Sequence, residues 1–192
     1  TLTDSSAASD VYKRQDSEVL LGQLNHAGLA AASEMRDDHD IVVVNTCGFI
    51  DLAKEESVET ILHQVERKKA GEIEKLYVTG CLSQRYRGDL IQELPEVDGF
   101  FGTVELPLLL EEFNVDYRKD LLGSKRLTTP SHYAYVKISE GCNRTCGFCA
   151  IPLMRGKHIS RPMEEIEHEI KHWVSKGVKA VSYTHLTLPT SR

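Results

Sequence analysis

Three cysteines crowd into the run Gly141-Cys142-Asn143-Arg144-Thr145-Cys146-Gly147-Phe148-Cys149, a Cys-x3-Cys-x2-Cys pattern. Three thiolates on one short loop can face a single metal centre, and thiolate is a soft ligand that suits iron-sulfur clusters and zinc. Ligand number separates the two. A structural zinc site is normally closed by four protein ligands, often as two separated pairs, whereas no fourth cysteine lies near this loop. Iron with one open position is the favoured reading, and His158, which could complete a zinc tetrahedron, keeps zinc as the alternative. The two remaining cysteines sit elsewhere: Cys47 follows Ile41-Val42-Val43-Val44-Asn45-Thr46, and Cys81 follows Leu76-Tyr77-Val78-Thr79-Gly80. If those runs are neighbouring parallel strands, both thiols open into the crevice beyond the strands' carboxyl ends, where α/β sheets bind ligands. That makes a second metal site plausible. The bland alternative is simple packing, because free cysteine is among the most often buried residues.

The elements that must hold these loops alternate helix and strand. Val19, Leu20, Leu24 and Ala27 give a short helical face, and 41–46 reads as a buried β-branched strand. Val58, Ile61, Leu62 and Val65 fall at i, i+3, i+4 and i+7 of a long helix, with Gly71 placed to stop it. Lys75 to Thr79 reads as a second strand, Arg87 to Leu94 as a helix, Gly99 to Gly102 as a third strand, and Glu105 to Phe113 as a helix with Pro107 in its first turn. The alternation predicts an α/β fold with a doubly wound parallel sheet over 16–115. The polar stretch 116–131, with Arg118, Lys119, Lys125 and Arg126, reads as a linker. Beyond it, Tyr133 to Ile138 is a predicted strand that feeds the cysteine loop. Pro162 to Lys176 is a predicted helix with Met163, Ile166, Ile170, Trp173 and Val174 on one face, and Val178 to Tyr183 begins another strand.

Composition limits the partners. The chain has 192 residues, 41% apolar and 27% charged, with a formal net charge of −6. No apolar run approaches the ~18 residues needed to span a bilayer, so no membrane association is expected. The first residues lack the pattern of a secretory signal, which makes the cytoplasm the default location. Net negative charge argues against a phosphate backbone as the main partner, so RNA binding is the less favoured reading. Five cysteines in a reducing compartment suit metal binding better than disulfides.

The cysteine run, with an aromatic residue directly before its last member, resembles the signature of radical S-adenosylmethionine enzymes. The resemblance implies that Cys142, Cys146 and Cys149 hold three irons of a 4Fe-4S cluster, that S-adenosyl-L-methionine occupies the fourth, and that Phe148 packs near the adenine. An ordinary core aromatic is the competing reading of Phe148. It further implies the start of a radical SAM (βα) partial barrel over 132–181, truncated here. Arg144, Arg155, Lys157 and Arg161 could favour a negative cluster and an acidic substrate through their field, although loop charges are usually solvated surface.

Asn45-Thr46-Cys47-Gly48-Phe49-Ile50, then Ala53-Lys54-Glu55-Glu56-Ser57, and later Thr79-Gly80-Cys81-Leu82 are similar to the amino-terminal domain of methylthiotransferases. That family binds a second 4Fe-4S cluster there with three cysteines, and this chain offers Cys47 and Cys81. The third ligand would precede a segment like Asp16-Ser17-Glu18-Val19-Leu20-Leu21-Gly22. Residues 1–15, and likewise 182–192, resemble foreign sequence and carry no functional argument here. Cys47-Gly48-Phe49-Ile50 and Ala150-Ile151-Pro152-Leu153-Met154-Arg155-Gly156-Lys157-His158-Ile159-Ser160-Arg161-Pro162 resemble the branch that modifies an aspartate β-carbon of small-subunit ribosomal protein twelve. The sister branch modifies an adenosine in transfer RNA.

For the intact enzyme the resemblance implies one cofactor molecule as methyl donor and a second as radical source. It also implies a sulfur donor and a reductant such as flavodoxin or ferredoxin. No general base is needed, so His132, His158, His168 and His172 receive no role. Glu164 and Glu165 are explained by the preference for negative charge at a helix amino terminus. The relatives continue through a full barrel and a small β-domain, so this chain alone is expected to be inactive. A non-enzymatic zinc or electron-transfer module is the remaining alternative.

Overall fold

A computed structural model describes residues 2–4, 11–33, 40–118 and 125–184. Four strands, β1 (Leu2–Asp4), β2 (Ile41–Thr46), β3 (Lys75–Gly80) and β4 (Gly99–Phe100), form one parallel sheet in the order β1-β2-β3-β4. Four helices accompany it: α1 (Val11–His26), α2 (Asp51–Lys69), α3 (Cys81–Glu93) and α4 (Leu106–Glu111). Side chains alternate across a strand, and the β2 run Val42-Val43-Val44 feeds two cores accordingly. Val42 and Val44, with Leu76 and Val78 of β3, pack with Ile61 and Val65 of α2 and Leu82 and Leu90 of α3. Val43 and Tyr77 belong to the other cluster, with Leu20, Leu21 and Leu24 of α1 and Leu109 and Leu110 of α4. A strand covered on both sides reads as an unbroken apolar run, which is why β2 was legible. Each such buried Leu, Ile or Val contributes ~1.5–3 kcal/mol relative to exposure. Among the described strands the order shows no reversal, so no switch point of the doubly wound kind is visible.

The second unit opens with β5 (Tyr133–Lys137) and β6 (Ser139–Glu140), followed by the cysteine loop and α5 (Ile151–Arg155). The chain returns through β7 (Ile159–Ser160), antiparallel to β6, then α6 (Met163–Ser175) and β8 (Ala180–Thr184), parallel to β5. Ala134, Val136, Trp173 and Val178 form its core. No helix among the described residues is long and apolar enough to cross a membrane.

Several boundaries move from their sequence positions. Helix α1 starts at Val11, so the expected boundary at Asp16 falls inside a helix. Its first turns bury Lys13, Gln15 and Ser17, polar residues that leave no apolar periodicity to read. Helix α3 starts at Cys81, six residues before the expected Arg87, and Tyr86 kinks it with φ −122° and ψ 24°. Pro162 caps α6 from outside its first turn. Pairing of β8 with β5 continues through Thr184, beyond the expected end of the core at Val181. The residues at the carboxyl end of the expected linker are fastened down. Lys125 is buried, lying 3.6 Å from Glu18 of α1 and 3.3 Å from Glu169 of α6. Glu18 Oε1 accepts from the Thr128 amide at 2.8 Å. Positions 119–124 lie outside the described residues.

Candidate functional site

Loop 141–150 springs from the β6–β7 hairpin. Gly141 has φ +73°, and a Cβ there would stand 2.2 Å from the Lys157 carbonyl oxygen, so only glycine fits beside the returning strand. The Cys142 amide donates to the Gly156 carbonyl at 3.1 Å, and the Cys149 amide donates to the Cys146 carbonyl at 3.1 Å. Asn143 Oδ1 accepts from the His158 amide at 3.0 Å. These bonds bring both ends of the loop together. Cys142, Cys146 and Cys149 are free and half-buried. The Arg144 amide points toward Cys142 Sγ at 3.4 Å, a donor of the kind that favours a thiolate. Among the described residues no three His, Cys, Asp or Glu side chains converge into a formed metal site. The donor set nevertheless suits an iron-sulfur cluster: three soft thiols on one open loop, unpaired by disulfide and reachable from solvent. Phe148 is 90% exposed, which removes the core-aromatic reading. His158 is exposed, with Nε2 3.2 Å from Ser160 Oγ.

Cys47 and Cys81 are placed differently. Thr46 pairs with Gly80 across β2 and β3, so each cysteine leaves the end of one of two hydrogen-bonded neighbouring strands. Both are buried. Gly80 has φ +104°, and a Cβ there would lie 2.4 Å from the Thr46 carbonyl oxygen. A Cβ on Gly48 would lie 2.8 Å from the Cys81 carbonyl carbon, so the chain after Cys47 presses against the start of α3. Ser57 Oγ accepts from the Cys47 amide at 3.0 Å.

The two sets meet through α5, which follows the loop and packs on α3. Thr103 Oγ1 donates to the Met154 carbonyl at 2.6 Å. Arg155 is only 4% exposed, not solvated surface as loop charges usually are. Its Nη1 lies 2.5 Å from Asp16 and 3.7 Å from Glu140. Lys137 lies 2.6 Å from Asp16 and 2.7 Å from Glu140, and both cations approach the Tyr12 ring. Burial alone would raise the Asp16 pKa, but Arg155 and Lys137 hold it below the ordinary carboxylate value. Burial pulls the Lys137 pKa down, yet Asp16 and Glu140 lift it above the ordinary lysine value. Arg155 is likewise lifted, against burial, by Asp16, then Cys81, then Glu140. Arg161 reaches Glu169 at 2.6 Å, while Arg144 and Lys157 are exposed. A cavity of about 430 Å³ opens beside this network, lined in part by Asp16, Asn45, Gly80, Lys137 and Glu140. Sequence reasoning missed Asp16 and Lys137, because isolated charges at a helix turn and a strand end carry no motif.

Known proteins resemble the chain in two blocks. Residues 12–102 match the model described as uncharacterized protein family UPF0004, and residues 136–187 match the radical SAM superfamily. Ribosomal protein uS12 methylthiotransferase RimO of Cytophaga hutchinsonii is 56% identical over 165 residues, which are 85% of this chain and 38% of that protein. The RimO proteins of Flavobacterium psychrophilum and Bacteroides thetaiotaomicron are 55% and 49% identical, again over 85% of this chain and 37% and 38% of theirs. The chain thus spans less than two fifths of the length of these relatives.

Proposed function

Because the chain belongs to the methylthiotransferase family of radical S-adenosylmethionine proteins, we propose that it forms part of an enzyme that methylthiolates an aspartate β-carbon of ribosomal protein uS12. The observation that carries this reading is the meeting of the two thiol sets: α3 begins at Cys81 and packs on α5, which begins two residues after Cys149. A lone zinc or electron-transfer loop has no need of a second buried cysteine pair across a shared helix.

Cys142, Cys146 and Cys149 would supply three thiolates to a 4Fe-4S cluster, and Cys47 and Cys81 would supply two of the ligands of a second. Held by these three thiolates, a cluster with S-adenosyl-L-methionine beside it would supply one-electron reductive chemistry. This chain's own residues do the holding. Gly141 lets the loop start against the chain entering β7, and the Cys149 amide bond to the Cys146 carbonyl draws the backbones of the last two cysteines together. Arg155 and Lys137, paired with Asp16 and Glu140, tie the loop's unit to the sheet unit between the sites. Phe148, exposed at the loop tip, is available to lie against the adenine. Residues 16–115 would form the sulfur-handling unit, a parallel sheet covered by helices, and 132–181 the first βα unit of the barrel. A reductant of the flavodoxin or ferredoxin type, a sulfur donor and a cytoplasmic setting belong to the same proposal.

Anaerobic reconstitution of the chain with iron and sulfide tests the chemistry. A brown protein with bound sulfide, lost in Cys146→Ser, is expected; colourless protein holding zinc at the loop would overturn the proposal. In the intact protein, Cys146→Ser is expected to abolish cofactor cleavage, whereas Cys47→Ser spares cleavage and blocks sulfur insertion. With the unsubstituted intact protein, mass spectrometry of uS12 should show the methylthio mass, with transfer-RNA nucleosides unchanged; neither variant should give it.

A further inference from the structure

Ser57 occupies the seventh position of α2, on the stripe that carries Ala53 and Ile61 into the core, and it is fully buried. An alanine would suit that stripe better, since it has higher helix propensity and no hydroxyl to desolvate. The hydroxyl is used on both sides. It donates to the Ala53 carbonyl at 2.7 Å, the i−4 bond open to serine in a helix. Its lone pair receives the Cys47 amide at 3.0 Å, and the Cys47 carbonyl, 3.2 Å away, is a second acceptor for the same hydrogen. Cys47 is the first residue beyond β2, so its amide has left the ladder and would otherwise be a buried donor without a partner. On the far side, Gly48 is pressed against the Cys81–Leu82 backbone at distances that admit no Cβ. The peptide of Cys47 is thereby held between α2 and the start of α3.

Resting on the reading of Cys47 and Cys81 as ligands of a second metal site, we infer that Ser57 is a positioning residue for Cys47. It fixes the peptide so that both sulfurs serve one centre before any metal arrives. Cobalt(II) is a suitable probe, since thiolate ligation gives it a sulfur-to-metal charge-transfer band.

The experiment uses the full chain with Cys142, Cys146 and Cys149 changed to Ser, leaving only the buried pair. Ser57→Ala is expected to weaken cobalt(II) binding about tenfold, the effect of one lost hydrogen bond to a buried group. The Cys47 amide should exchange with solvent about tenfold faster or more, while the amides of 42–44 keep their protection. Ser57→Thr, which keeps the hydroxyl, should restore both. Unchanged cobalt affinity in Ser57→Ala with unchanged exchange at Cys47 would overturn the role of Ser57 while leaving the second site standing. A parent chain that gives no charge-transfer band would remove the second site itself, and the inference with it.

Discussion

The buried cysteine pair and the exposed cysteine loop solve the same problem by opposite means. Cys47 and Cys81 are held by strand register, by two glycines that admit no Cβ and by the Ser57 hydroxyl, inside a core built on both faces of a sheet. Cys142, Cys146 and Cys149 are held at the ends of one hairpin, with their loop tip in solvent. The pair is placed by the folded core, whereas the triad sits on a loop fastened by backbone bonds at its ends. Rigid placement suits a centre that must be met by a group delivered from elsewhere; an open loop suits one that must admit a small cofactor.

The sharpest way to break the contrast is at the glycines. Gly80→Ala combines φ +104° with a Cβ 2.4 Å from the Thr46 carbonyl oxygen, and should destabilise the sheet unit by more than ~3 kcal/mol in chemical denaturation. Gly141→Ala has an equally severe clash, 2.2 Å from the Lys157 carbonyl oxygen. It should nevertheless leave the sheet's unfolding transition in place and remove iron binding at the loop. Equal loss of sheet stability in both variants would mean that the two sites are not built independently.

Serine replacements probe the same difference more gently. Cys47→Ser puts a hydroxyl where the side chain is buried, 7% exposed, and should cost roughly 1–2 kcal/mol. Cys146→Ser, on the half-exposed loop, should change stability by less than ~0.5 kcal/mol. Thermal melts of the two apo variants make the comparison.

The smallest effect concerns the charges that join the regions. Asp16 is held below the ordinary carboxylate value, so its contribution to stability is complete above its unfolded pKa of ~3.9 and is lost as pH falls through the lower folded value. Denaturation midpoints of the wild type should therefore fall on the acid side of about pH 4. Asp16→Asn should start lower at neutral pH and show a shallower acid slope. Parallel pH curves would mean that Asp16 contributes nothing across the joint.

What could be read from the sequence follows from this contrast. The triad was legible because its spacing is local, and β2 and β3 because a strand buried on both faces is an apolar run. Cys47 and Cys81 were legible only as strand ends; their pairing needed the register of Thr46 against Gly80. Helix α1 was cut short because its first turns bury Lys13, Gln15 and Ser17, polar residues that give no apolar periodicity. Asn45 reaches two of them: its Nδ2 donates to the Lys13 carbonyl and to Ser17 Oγ, contacts across about thirty residues that no local pattern announces. Arg155, one of four basic residues near the loop, could not be told from its solvated neighbours until α1 was seen beside it.

Lys125 stands between Glu18 and Glu169, all three nearly inaccessible to solvent. One ammonium therefore serves carboxylates from both halves of the molecule. Replacing either acid by a neutral residue, or drawing Lys125 away by lengthening the connection ahead of it, would leave a charge short of its counterion in the interior. The junction thus accepts alterations only in charge-matched combinations.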